Sequence, residues 1–204
     1  MGWRILSLFV FIAIVFSGCA SVKELPPSQE ADLKAPGGTL PDSYGPIEMT
    51  REKLMPLETV CQSFERLKIS TRFSIPELQS LARDAHVSPV AISKCDVKTL
   101  KVFVAKNWTP IVVLKSPTGS KRTCWAAIGY NDPNEELILT DPMNRGRTTR
   151  MEYSKVSDLW ADPQKTCLLI FSQRMGQEIV KGALKEYFSG QRVESMPIRT
   201  AEGR

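Results

Sequence analysis

Residues 109–142 read TPIVVLKSPTGSKRTCWAAIGYNDPNEELILTDP, and this stretch decides the fold class. It contains three apolar runs of strand length, at 110–114, 123–130 and 136–140. Clusters of Pro, Gly, Ser, Asn and Asp separate the runs, and such clusters are typical of turns. Strands that are joined by short connections pair antiparallel with their neighbours in the chain. The stretch therefore predicts an antiparallel meander.

The residues before the meander have helical periodicity. Apolar side chains recur every three or four residues over 57–67, which predicts a helix that contains Cys61. A second helix begins after Ser74, where Ser-Ile-Pro-Glu forms a capping box, and a third begins after the N-cap Asp96. A short strand is expected over 87–93, between these two helices. Helices followed by an antiparallel meander are typical of the α+β class.

The residues after the meander have mixed character. Arg145, Arg147 and Arg150 are expected in a loop, where they either grip an acidic group of a partner or form an ordinary solvated segment. The following elements are predicted to be a short helix over 154–160, a last strand over 166–171, an amphipathic helix over 175–188 and a loose tail.

The N-terminus resembles an export signal. An apolar run over 5–16 follows Arg4 and is shorter than the roughly 20 residues that span a bilayer. The run ends in FSGC, which resembles the bacterial lipobox and makes Cys19 the predicted site of lipid attachment, palmitate included. Residues 1–18 are accordingly predicted to be a lipoprotein signal peptide, and the lipid bilayer is the first predicted partner.

The domain organisation follows from composition. Residues 19–46 are rich in Pro, Gly, Ser and charge, and they are predicted to form a flexible tether. The globular domain is expected over 47–172, with a C-terminal helix and tail over 173–204. Ala20 stands where Asp would retain a lipoprotein at the inner membrane. By resemblance to lipoprotein sorting, this favours the periplasmic face of the outer membrane.

Charge and cysteine content narrow the function classes. The net charge is +5, but the basic residues are dispersed without a basic stripe, so no nucleic-acid partner is expected. His86 is the single histidine and no Cys-x-x-Cys occurs, so neither a metal nor a cofactor is expected. Besides Cys19 the chain has four cysteines, Cys61, Cys95, Cys124 and Cys167. An even number suggests disulfides in an oxidising compartment, and the sequence leaves all three possible pairings open.

A family resemblance rests on order and spacing across about residues 50–172. A cysteine lies on the first helix, a Trp-Ala-Ala-Ile-Gly-Tyr strand follows a Pro-initiated strand, and the next strand ends in Asp-Pro. Tyr153 and Trp160 then flank a short helix before a final strand. This pattern resembles the bacteriocin-processing cysteine peptidases of family 39, in a stand-alone exported form. The resemblance implies a papain-like α+β fold, with N-terminal helices packed on a mostly antiparallel sheet. It also implies a Cys-His-Asp triad that cuts leader peptides after two glycines.

The resemblance is degenerate at the catalytic positions. Cys61 matches the nucleophile and Asp141 matches the acid that orients the histidine. Cys124 stands where the family has that histidine, Met55 stands at the oxyanion glutamine, and Gln62 replaces a glycine. A thiol without an imidazole lacks its general base. The resemblance therefore implies a catalytically inactive relative, although Asp141 is also a common kind of turn residue.

The same resemblance implies a disulfide between Cys61 and Cys124 across the old active site, which leaves Cys95 and Cys167 to pair. The alternatives are that Cys61 and Cys124 are buried apolar residues or that Cys61 is an active nucleophile.

Three functions follow from the sequence. The first is a membrane-anchored accessory lipoprotein that binds a peptide or an export-machinery protein and does not cleave it. The second is an active cysteine peptidase with Cys61 and a non-standard base. The third is a structural envelope lipoprotein.

Overall fold

The computed structural model describes residues 23–30, 74–116, 121–142, 148–171 and 173–200. The predicted helix over 57–67 lies outside these residues. The strands are β1 (Ser28–Glu30), β2 (Ser88–Ile92), β3 (Ile111–Lys115), β4 (Arg122–Asn131), β5 (Glu136–Thr140), β6 (Thr148–Glu152), β7 (Cys167–Phe171) and β8 (Ile198–Arg199). The helices are α1 (Ile75–Asp84), α2 (Val97–Ala105), α3 (Tyr153–Leu159), α4 (Gln177–Lys185) and α5 (Gly190–Glu194).

The strands form one antiparallel sheet, in the order β6-β5-β4-β3-β7-β2-β8. The predicted meander is its centre, since β3 pairs with β4 and β4 with β5. β1 lies off this path and pairs with the last residues of β4. Helices packed on an antiparallel sheet confirm the α+β prediction.

Local capping signals fix where the first two described helices begin. The Ser74 side chain accepts from the Glu77 N–H, while the Glu77 carboxylate accepts from the Ser74 N–H. Asp96 and Thr99 form the same reciprocal pair at the start of α2. Each pair satisfies backbone donors that a helix start leaves open. The predicted starts of both helices are confirmed.

The two faces of the sheet are covered differently. On one face, here called the four-helix face, α2, α3, α4 and α5 contribute buried side chains to the larger core cluster. These include Leu100 and Phe103 from α2, Val156 from α3, Leu184 from α4 and Val193 from α5. On the other, the α1 face, α1 packs Ile75, Leu78, Leu81 and Ala82 against a smaller cluster.

Two predicted loops are wrong. The segment with Arg150 was expected to be a loop, but residues 148–152 form β6, which pairs along its whole length with β5. The tail was expected to be loose, but α5 and β8 follow α4, and β8 pairs with β2. Val193 and Ile198 are buried in the core, so burial of apolar side chains holds this segment in place.

Part of the predicted flexible tether is also ordered. Residues 23–30, here called the strap, lie on the domain, and their last three form β1 against β4. Leu25 packs against the core of the four-helix face. The tether prediction from Pro and Ser content is therefore wrong for these residues. Their conformation is fixed by contacts with β4 and the core, which the local sequence does not reveal. The rest of the predicted tether that follows the strap lies outside the described residues.

Candidate functional site

Cys124 lies at the start of β4, where the resemblance places a histidine. It pairs with Val113 on β3, and its side chain is only 4 % exposed. It packs on the α1 face with Ala126 on its own strand and with Ile75 and Leu78 of α1. These are small or aliphatic neighbours, so Cys124 is part of an apolar core as well as a candidate for the predicted disulfide.

Asp141 lies at the same end of the sheet. It follows Thr140, the last residue of β5, and Thr140 pairs with Ala126. Because β4 and β5 run antiparallel, the residue after the end of β5 lies beside the start of β4. The topology therefore brings Asp141 and Cys124 to one end of the sheet, on neighbouring strands.

Several predicted site residues lie outside the described residues. These are the lipid-anchor residue Cys19, the nucleophile position Cys61, its neighbours Met55 and Gln62, and the arginines Arg145 and Arg147. Their roles, and the Cys61–Cys124 disulfide, stay predictions.

The histidine of this chain lies away from that end. His86 follows α1 in a left-handed backbone conformation with a φ of 59°, and its N–H donates to the Arg83 carbonyl at 2.9 Å. Ile75, at the opposite end of the helix, belongs to the same apolar cluster as Cys124. The helical rise of 1.5 Å per residue separates Asp84, the last residue of α1, from Ile75 by about 14 Å along the axis, and His86 follows Asp84. His86 therefore cannot act as the base for a thiol near Cys124.

A pocket of about 240 Å³ opens at the end of the sheet where β4 begins. The start of α1 forms one wall, and Ala91, Val113 and Ala161 form an apolar floor. Polar side chains from five segments that are distant in sequence line the pocket. They are Ser74 and Gln79 at the start of α1, Ser93 after β2, Arg122 on β4, the group of Asp162, Gln164 and Thr166 before β7, and Arg199 on β8. A small apolar floor with convergent polar groups is typical of ligand sites.

Hydrogen bonds hold the polar side of the pocket in shape. The Asp162 carboxylate accepts from the backbone N–H groups of Gln164 and Thr166, each at 3.0 Å. Burial raises the pKa of Asp162, but these bonds and the nearby Arg122 outweigh it and hold the pKa below its usual value. The buried hydroxyls of Ser93 and Thr166 lie 3.0 Å apart. Asp162 is therefore ionised, and its hydrogen bonds fix the conformation of this loop.

Arg122 and Arg199 are the exposed cations of the pocket. Sequence reasoning missed both, because β4 and β8 lie far apart in the chain and only the strand order brings them to one end. Guanidinium groups bind carboxylates with two parallel hydrogen bonds. The pocket is therefore suited to a small polar or acidic group carried on an extended segment.

Arg150, by contrast, is held by its own sheet. Its guanidinium lies 3.7 Å from the carboxylate of Glu136, across the β5–β6 pair. Binding of Arg150 to an acidic group of a partner would therefore compete with its ion pair to Glu136.

Cys95 and Cys167 meet in the core of the four-helix face. Their Sγ atoms lie 3.3 Å apart, and both side chains are buried. Cys95 also donates to the Ile92 carbonyl at 3.1 Å. Burial and the Cys95 thiol raise the pKa of Cys167 well above its usual value, so Cys167 is a protonated thiol at neutral pH. Both are free thiols here, close to each other but not bonded, and the Cys95–Cys167 disulfide stays a prediction.

Within the described ranges, none of the helices is both long and apolar enough to cross a bilayer. Within the same part of the chain, no three His, Cys, Asp or Glu side chains cluster as metal ligands do.

The chain was compared with known proteins. No protein-family model matches it, and no curated protein matches it either. Among solved structures, it is similar to one described as a C39-like peptidase from Bacillus anthracis, with 13 % identity and a TM-score of 0.39. That match covers 48 % of this chain and 58 % of the other, so the chain spans less than two thirds of that structure.

It is also similar to the peptidase domain of Streptococcus ComA, described as a bi-functional ABC transporter involved in a quorum-sensing pathway. The identity is 15 % and the TM-score 0.34, over 64 % of this chain and 99 % of that one. Both similarities are distant in sequence and in backbone.

Proposed function

We propose that this chain is a lipid-anchored accessory protein that binds a peptide segment at the β4 end of its sheet and does not cleave it. The observation that carries the proposal is the position of histidine. A cysteine opens β4 where a catalytic imidazole is expected, and His86 lies beyond the far end of α1. Removal of a catalytic base typically costs several orders of magnitude in rate.

The pocket gives the binding half of the proposal its chemistry. Arg122 and Arg199 supply cationic donors above an apolar floor, and Ser93 and Thr166 supply hydroxyls. A peptide that ends in a carboxylate, or carries an acidic side chain, matches this lining.

The test is isothermal titration of the mature protein with peptides that have a free or an amidated C-terminus. We expect the free carboxylate to bind more tightly. Arg199→Ala should weaken its binding about tenfold, because a hydrogen bond to a charged group is worth about 1.5–3 kcal/mol. Arg83→Ala is the matched control, since Arg83 is an exposed arginine near the far end of α1. Equal losses in both variants, or equal affinity for both peptides, would remove the pocket from the proposal.

The anchor is tested separately. Metabolic labelling with palmitate should mark the wild-type chain and not Cys19→Ala, and the labelled protein should fractionate with the outer membrane. A labelled protein in the inner-membrane fraction would retain the anchor and exclude the proposed location.

A further inference from the structure

Only a short length of chain connects the predicted lipid anchor to the first strap residue that is bonded to the domain. Lys23 is already bonded to the domain, because its N–H donates to the Glu186 carbonyl after α4 at 2.7 Å. Two more bonds fix the strap: the Tyr130 hydroxyl donates to the Pro26 carbonyl at 3.1 Å, and the Asp132 N–H donates to the Pro27 carbonyl at 2.9 Å. Three residues lie between Cys19 and Lys23, and the four steps from one to the other cover about 14 Å in a fully extended chain. A lipid on Cys19 therefore holds the domain surface close to the bilayer.

The surface around the start of the strap carries more cations than carboxylates. Four basic side chains lie over two aromatic rings: Lys23 and Lys106 over Tyr187, at 5.9 and 5.7 Å, and Lys98 and Arg192 over Phe188, at 5.1 and 4.7 Å. Two carboxylates pair with this set, Glu186 with Lys106 and Asp96 with Arg192, and the exposed Glu24 follows Lys23 in the strap, so four cations face three carboxylates. Basic residues at a protein surface are attracted to the headgroups of an anionic bilayer.

β4 links this surface to the pocket. The strap pairs with Gly129, Tyr130 and Asn131 at one end of β4, and Arg122 of the pocket begins the other end. With a rise of about 3.3 Å per residue, the two ends of the strand lie about 30 Å apart.

The pocket floor belongs to the α1 face, because Ala91, Val113 and Ala161 lie in its core cluster, whereas Tyr187 and Phe188 belong to the core of the four-helix face. The basic surface and the pocket therefore lie on opposite faces of the sheet.

We propose that the strap docks the domain directly on an anionic bilayer, with the basic surface around Tyr187 and Phe188 against the lipid headgroups and the pocket facing away. This inference rests on the proposed lipid anchor at Cys19. In this arrangement the domain has a fixed orientation on the bilayer and does not move on a long tether. Its pocket then faces partners in the aqueous compartment.

The experiment is hydrogen exchange read by mass spectrometry on the full lipidated protein. The protein is compared in detergent and in vesicles of phosphatidylethanolamine with phosphatidylglycerol. We expect the vesicles to slow exchange in peptides that span residues 184–194 and to leave peptides from residues 121–124 and 162–166 unchanged. Vesicles of phosphatidylcholine alone should lose most of this protection.

Leu25→Asp tests the strap itself, with Leu25→Met as the matched control. A charge at this position opposes packing on the core, so protection at residues 129–131 and at residues 184–194 should both be lost in the Asp variant and kept in the Met variant. Intact mass reports the lipid on the same samples. A chain without lipid overturns the anchor and this inference together. A lipidated wild-type chain that exchanges equally in vesicles and detergent, or is protected at the pocket end, overturns this inference alone.

Discussion

The two faces of the sheet differ in the size of their buried side chains. The four-helix face buries Phe103, Tyr130 and several leucines completely. The described core of the α1 face is smaller and rich in small residues, which are Ala82, Ala91, Cys124, Ala126 and Ala161. Large buried side chains contribute most to the free energy of unfolding. Among the described residues, stability therefore rests mainly on the four-helix face.

A matched pair of leucine truncations gives the largest expected effect. Leu100→Ala, under α2 on the four-helix face, should lower the free energy of unfolding by about 3–5 kcal/mol. Leu78→Ala, on α1, should lower it by about 2–3 kcal/mol, because its described cluster contains many smaller side chains and the truncation removes fewer contacts. Urea denaturation of both variants measures the difference. A greater loss for Leu78→Ala would reverse the assignment of stability.

The Cys95–Cys167 contact gives the next effect. In an oxidising compartment the two thiols should pass two electrons and two protons to a thiol–disulfide oxidant and form a disulfide within the four-helix core. Reduction should then lower the free energy of unfolding by about 2–4 kcal/mol. The double variant Cys95→Ala with Cys167→Ala is the control and should not respond to reductant. Alkylation of both thiols in the unfolded, non-reduced protein would contradict the pairing.

Alkaline pH should weaken the four-helix face through the buried Tyr130 and the half-buried Tyr153. Burial, and then the nearby charge of Asp132, raise the pKa of Tyr130 to about 12. Burial, and then the hydrogen bond to Asp132, raise the pKa of Tyr153 further. Unfolded tyrosines ionise near pH 10, so their contribution is complete below that pH and is lost as the pH rises from about 10 towards 12.

Each such tyrosine should lower the free energy of unfolding by up to about 1.4 kcal/mol per pH unit in that window. Denaturation midpoints measured from pH 8 to pH 11.5 test this, and Tyr153→Phe should flatten the decline. The same slope in the Phe variant would exclude Tyr153 as a source.

The smallest stability effect is expected in the pocket. Arg199→Ala removes an exposed side chain, so the free energy of unfolding should change by less than about 0.5 kcal/mol. Thermal unfolding of this variant beside Leu78→Ala measures whether pocket and core are separate. A loss as large as that of Leu78→Ala would make Arg199 a structural residue.

Sequence alone predicted the elements whose signals are local. The capping pair at Ser74, the cap at Asp96 and the apolar runs of the meander each report a preference of neighbouring residues. β6 lacked such a signal, because Thr-Thr-Arg-Met-Glu at a sheet edge has little apolar alternation. The strap was missed for a related reason, because it is held by bonds to residues after α4 and on β4 that are distant in sequence.

The candidate site divides in the same way. Cys124 and Asp141 were predicted from their order along the chain, and the sheet brings them to one end. Arg122 and Arg199 were not predicted, because β8 reaches the pocket only by pairing with β2. A two-residue strand has too little sequence to reveal such a pairing.

The most direct test of the central claim is a cleavage assay on the mature protein, reduced and non-reduced, with peptides that contain a Gly-Gly pair and with a mixed peptide library. Mass spectrometry identifies any product, and Cys61→Ala is assayed in parallel. The account predicts no product above the Cys61→Ala background in either redox state, together with carboxylate-dependent peptide binding. Cleavage by the wild type that disappears in Cys61→Ala would contradict it and show that the protein is a cysteine peptidase with another base.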